Sequence, residues 1–112
     1  MTAEATVQRQ LEAYNAHDLE KFIAEYADDV QVFRPPKVEP VMAGKKALAA
    51  HYAANRFNLP NLHAALDKRI VCGNKVVDHE RITGVHAYET QALAVYEVID
   101  DQIKTVWFYA PE

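Results

Sequence analysis

The period of the hydrophobic pattern changes at Pro60, and that change constrains the chain more than any other feature. Before it, one short alternating stretch aside, apolar residues recur at three- and four-residue spacing; after it, they alternate. Ahead of Pro60, Val7, Leu11 and Tyr14 mark a helix from Ala3 to about Ala16. Leu19, Phe22, Ile23 and Tyr26 mark a second helix, which Asp18 is placed to cap. The alternating strand VQVFR follows and is halted by Pro35 and Pro36, neither of which can donate to a sheet ladder. After a loop to Gly44, the alanine-rich KKALAAHYAANRF predicts a third helix, with Leu48, His51, Tyr52 and Asn55 along one side. Beyond Pro60 four strands are expected: LHAALDKRIVC, KVVDHERITG, a run from about Ala87 to Ile99, and QIKTVWFY. The turns between them, Gly73-Asn74 and Asp100-Asp101 among them, are short, so antiparallel neighbours are expected. Helix, helix, strand, helix and four strands make an α+β domain, with helices packed on one face of a curved, mostly antiparallel sheet that encloses a pocket.

At 112 residues, half of them hydrophobic, the chain holds enough apolar surface for one core, and a single domain over 1–112 is expected. No apolar run approaches the roughly 20 residues that cross a bilayer, and TAEATVQRQ lacks the basic and apolar regions of a signal peptide, so no membrane partner is expected. The single Cys72 cannot form an internal disulfide and suits a reducing compartment, so a cytoplasmic location is expected. A net charge of −4 with scattered Lys and Arg gives no basic stripe for a phosphate backbone, which argues against nucleic acid as a partner. The sequence contains no phosphate-cradling glycine loop, no Gly-x-Ser-x-Gly, no His-x-x-x-His and no cysteine pair. Neither a metal nor a cofactor is expected on that pattern. His17, His63 and His86 lie in expected turns or strand ends and default to the surface.

Three segments together carry a resemblance: VQRQLEAYNAHDLEKFIAEYADDVQVFRPP, the helix opened by AGKKALAAHY, and AVYEVIDDQIKTVWF. In this order and spacing the chain resembles the nuclear transport factor 2-like superfamily, and within it the SnoaL-like and ketosteroid isomerase-like proteins. The resemblance implies a cone-shaped α+β barrel around a deep pocket, with a small-molecule ligand and commonly a homodimer formed through the sheet. It implies no particular reaction, because one fold hosts many chemistries. Ketosteroid isomerase itself uses a general-base aspartate with a tyrosine and a protonated aspartic acid as oxyanion hole. By this resemblance those positions hold Arg34, Gln10 and, approximately, Ala94 here. All three chemical groups are replaced, which argues against that reaction.

The strand VVDHERIT divides by alternation into Val77, His79, Arg81 and Thr83 on one face and Val76, Asp78, Glu80 and Ile82 on the other. Comparison with the family directs the first set into the pocket and leaves the acids outside. On that expectation His79 shuttles a proton, Arg81 stabilises developing negative charge, and Arg34 lies at the rim. The plainer reading gives Arg81 a carboxylate partner and His79 a structural hydrogen bond. Gln10, Tyr14, His51, Tyr52 and Phe108 are the other candidate ligand contacts, Tyr14 and Tyr52 through their hydroxyls; each is equally readable as core. Trp107, on the opposite face of its strand from Phe108, fits a dimer contact.

Two functions follow. One is a pocket protein that binds a small, largely apolar ligand with a carbonyl or acidic oxygen and performs cofactor-independent acid-base chemistry of the isomerase, dehydratase or cyclase type. The other is a module that binds such a ligand unchanged, or associates through its sheet.

Overall fold

A computed structural model describes residues 2–111. The chain runs α1 (Ala3–Asn15), α2 (Leu19–Ala24), β1 (Tyr26–Phe33), β2 (Met42–Ala43), α3 (Lys45–Asn55), β3 (His63–Cys72), β4 (Lys75–Thr83), β5 (Thr90–Ile99) and β6 (Gln102–Tyr109). Thr2 caps α1 by accepting from the Ala5 amide, and Asp18 caps α2 by accepting from Lys21, each at 3.1 Å. Helix α2 stops at Ala24, and Tyr26, expected inside it, opens β1 instead. The Ile103 amide donates to the Glu25 carbonyl at 2.8 Å, so pairing with β6 captures the chain before another helical turn forms.

The six strands form one curved sheet in the order β2-β1-β6-β5-β4-β3, with β1 and β6 parallel and every other pair antiparallel. It does not close, and β2 and β3 are its edges. The helices cover one face, where Val7 and Phe22 pack with Val76, Ile103 and Val106 in a continuous core. The Asn15 side chain, at the end of α1, donates to the Ala64 carbonyl at 2.9 Å and accepts from the Ala64 amide at 2.8 Å. It thereby pairs with the start of the edge strand β3 as a neighbouring backbone would. Gly84 ends β4 at φ 85°, where a Cβ would collide with the Asn61 carbonyl. No helix among the described residues is long and apolar enough to cross a membrane.

The orientation of β4 reverses the expected one. Val76, Asp78 and Glu80 are the buried set, at 0%, 0% and 6% exposure, and His79 and Arg81 lie on the outer face. Two interactions hold this register. Val76 is wholly enclosed in the core, and Asp78 receives both Nε and Nη2 of Arg69, its direct partner on β3, at 2.7 and 2.9 Å. A buried carboxylate so matched is tolerated. Outside, Arg81 pairs with Asp67 at 2.8 Å and Glu89 at 3.3 Å, and His79 lies 2.8 Å from the Gln91 side-chain oxygen.

Candidate functional site

Between the helices and the sheet lies a cavity of about 260 Å³. Helix α1 contributes Gln10 and Tyr14, which share its buried stripe with Leu11. Phe22 from α2, Tyr26 from β1 and Tyr52 from α3 complete an aromatic wall, with Phe22 rings 5.0 and 4.8 Å from those of Tyr26 and Tyr52. The sheet supplies Glu80 from β4, Tyr96 from β5 and Phe108 from β6. Arg34, Arg56 and His86 also line it; Arg34 and His86 are exposed, and the Arg34 guanidinium lies 5.1 Å from the centre of the Phe108 ring.

One polar network fixes the inner end. Tyr26 donates its hydroxyl to Gln10 Oε1 at 3.1 Å, and Gln10 Nε2 donates to the Tyr96 hydroxyl at 3.3 Å. Gln10 therefore orients two tyrosines, and Tyr96, as the acceptor, keeps its own proton to donate. The Tyr52 hydroxyl and the Glu80 carboxylate make no side-chain hydrogen bond to any other described residue, and both belong to the cavity wall.

Electrostatics follow from that enclosure. Burial first, and then the nearby Asp78 carboxylate, push Glu80 from 4.5 up to about 7, against the opposing influence of Arg69. Burial likewise pushes Tyr52 up to about 12 and raises Tyr14, Tyr26 and Tyr96. The four phenols stay protonated, and so remain donors, through neutral pH. Glu80 alone among them changes charge there. Such a carboxyl both accepts and gives a proton with little driving force wasted in either direction.

Of the residues singled out from the sequence, Gln10, Tyr14, Arg34, Tyr52 and Phe108 line this cavity. His79 and Arg81 do not. His51 is not in the wall either: its ring stands edge-on to Tyr52 at 5.4 Å and neighbours Asn55 on the outer side of α3. Burial and the two arginines Arg56 and Arg34 lower its pKa. Sequence reasoning missed Glu80, Tyr26, Tyr96, Arg56 and His86. For Tyr96 a signal existed, since Ala94, Tyr96 and Val98 alternate on one face; for Glu80 none did, because strand alternation leaves the two faces of β4 equivalent. Among the described residues no three His, Cys, Asp or Glu side chains converge as a metal site requires.

The family model described as a SnoaL-like domain matches residues 7–106. No curated protein matches the chain. Among solved structures, an uncharacterized cystatin fold protein from Novosphingobium aromaticivorans superposes with a TM-score of 0.86 at 23% identity, covering 96% of this chain and 97% of that one. A computationally designed 17-OHP binder superposes with a TM-score of 0.82 at 18% identity, covering 97% and 90%. A hypothetical protein with a ketosteroid isomerase-like fold from Catenulispora acidiphila, in complex with trimethylamine, gives 0.78 at 15% identity, covering 97% and 86%. At these identities the likeness carries the fold alone.

Proposed function

This chain belongs to the SnoaL-like domain family, and we propose that it binds a small, largely apolar molecule bearing a carbonyl or acidic oxygen and moves a proton on it, with Glu80 as the acid-base group and no cofactor. The observation that carries this reading is Glu80 itself: a carboxyl in a cavity wall, without a hydrogen-bond partner among the described residues, and pushed up to about 7. A carboxyl in a cavity wall without an ion-pair partner costs stability, and perturbed groups of this kind cluster at functional sites. The ionised carboxylate removes a proton from the carbon beside the ligand carbonyl. The negative charge passes to the carbonyl oxygen, which accepts hydrogen bonds from Tyr52 and Tyr96. Protonated Glu80 exchanges its proton with solvent and delivers one back to the first carbon, to a second carbon of the conjugated fragment, or to a departing oxygen. Isomerisation and dehydration differ only in where that proton lands.

The test uses proton NMR in deuterated water on a series of small aryl ketones and acids first ranked by thermal shift. The protein accelerates deuterium uptake beside the carbonyl, and Glu80→Gln lowers that rate by roughly 10²–10⁴-fold, the usual contribution of a positioned acid-base group. Unchanged exchange in the variant removes Glu80 from the mechanism. A ligand that stabilises the protein and is recovered without exchange supports the second reading, a binding module.

The homodimer belongs to the same proposal. The outer sheet face carries Val77, Val95 and Trp107 side by side across three strands, with Leu93 and Tyr109 adjacent and partly exposed. A second copy laid on this face is the occupant that the family resemblance implies.

A further inference from the structure

The chain has five arginines, and three are matched by carboxylates: Arg9 with Glu25, Arg69 with Asp78, and Arg81 with Asp67 and Glu89. The two without a carboxylate partner among the described residues, Arg34 and Arg56, both line the cavity. Their guanidinium groups are instead held by neutral neighbours. Arg34 lies over the Phe108 ring at 5.1 Å, and Arg56 donates to the Asn55 carbonyl at 2.8 Å. They come from different elements, Arg34 from the end of β1 and Arg56 from the end of α3, yet both act electrostatically on the same two groups, His51 and Tyr52. Glu80 is the single acid of the cavity wall, and neither arginine pairs with it.

We propose that Arg34 and Arg56 form an anion seat in the cavity, and that the ligand is a small monocarboxylate whose charged end is held there while its carbonyl-bearing end reaches Glu80. The proposal rests on the reading of the cavity given above and narrows its ligand to one charge class. Guanidinium groups hold carboxylates by charge-assisted hydrogen bonds, and an arginine whose internal partners are all neutral keeps its charge unmatched for an incoming anion. The same placement sets the direction of the ligand. An anion set beside an ionised Glu80 is repelled, so the carboxylate takes the arginine end and the apolar body lies along Phe22 and Phe108. Size agrees: about 260 Å³ is the space of about nine waters at roughly 30 Å³ each, enough for a single-ring acid.

The experiment compares phenylacetate, its isostere 2-phenylacetamide and the cation phenethylammonium by ligand-observed NMR titration of the full chain at low and high salt. Phenylacetate binds at least tenfold more tightly than the amide at low salt, about 1.4 kcal/mol, and loses that margin as salt rises. The ammonium binds weakest. Arg34→Gln and Arg56→Gln each cut the carboxylate-over-amide ratio by roughly fivefold, and the double variant abolishes it. Arg81→Gln, on the outer face, leaves the ratio unchanged. Equal affinity for acid and amide overturns the proposal, as does a ratio insensitive to both cavity arginines, or no saturable binding by any of the three. Deuterium exchange on phenylpyruvate and on the neutral 4-phenylbutan-2-one separates the two levels of inference. Glu80-dependent exchange on the ketone without carboxylate preference overturns the anion seat and leaves the acid-base reading standing. Arginine-dependent phenylacetate binding with no Glu80-dependent exchange does the reverse.

Discussion

Asp78 and Glu80 stand two residues apart on the same buried face of β4, and the protein treats them oppositely. Asp78 receives a two-point ion pair from Arg69, whereas Glu80 receives none. The difference has a thermodynamic signature. Glu80 is held near 7 in the folded protein and returns to 4.5 when unfolded, so between those values the folded state holds the extra proton. Stability on its account is full below about pH 4.5, falls as pH rises through 7, and levels off above, a loss on the order of 3 kcal/mol. Glu80→Gln removes this dependence. Urea unfolding at pH 5 and pH 8 is expected to show wild type losing more stability than the variant across that interval; parallel curves would mean that Glu80 ionises freely in the fold. Little of this was legible in the sequence. Alternation separated His79 and Arg81 from Asp78 and Glu80 correctly but did not choose between the faces, since each carries a valine and a second β-branched residue. Comparison with the family was what directed the histidine inward. The deciding partner, Arg69, lies on the preceding strand, and its register with Asp78 follows a bulge between Leu66 and Lys68 that periodicity does not reveal.

Among the elements, Arg69 does more than neutralise Asp78. Its Nη1 donates to the Gln8 side chain at 2.8 Å and lies 3.8 Å from Glu4, so one guanidinium joins β3, β4 and α1. Arg69→Met leaves Asp78, wholly buried, with an uncompensated charge and releases the N-terminal half of α1 from the sheet. The expected cost is about 3–5 kcal/mol, because removing one member of a buried pair strands the other. Combining it with Asp78→Leu recovers most of that loss, since no charge is then left inside. Chemical denaturation of the two variants measures both effects, and a single variant that loses under about 1 kcal/mol would show Asp78 finding another partner or a proton. The elements themselves were largely readable. Three- and four-residue spacing identified all three helices, and the turns at Gly73-Asn74 and Asp100-Asp101 bounded the strands. What failed was the end of α2, where a residue at perfect helical spacing, Tyr26, is drawn into β1 by pairing with β6, a strand more than 70 residues away in the sequence. Local pattern carries no information about such a competitor.

At the scale of the whole molecule, the sheet has one face filled by helices and one face bare. The covered face explains the cavity, and the bare one explains the residues left over. Val77, Val95 and Trp107 are register partners in a row, so their side chains share the outer surface, and Trp107 is steadied there by Phe33, stacked at 6.2 Å. A row of apolar side chains across the middle of a bare sheet is what a symmetric pair of sheets needs at its centre, where anchors concentrate the binding energy. Charge at the centre of that row tests the dimer without touching the cavity. Val95→Glu puts a carboxylate against its own symmetry mate in a dimer, but in a lone chain it merely replaces a half-buried residue by one that reaches water. Sedimentation over a range of concentrations is expected to find wild type as a dimer and the variant as a folded monomer with its thermal transition retained. A wild-type protein that sediments as a monomer throughout would leave this face without its second copy. If the variant also keeps its preference for phenylacetate over the amide, the anion seat is complete within one chain.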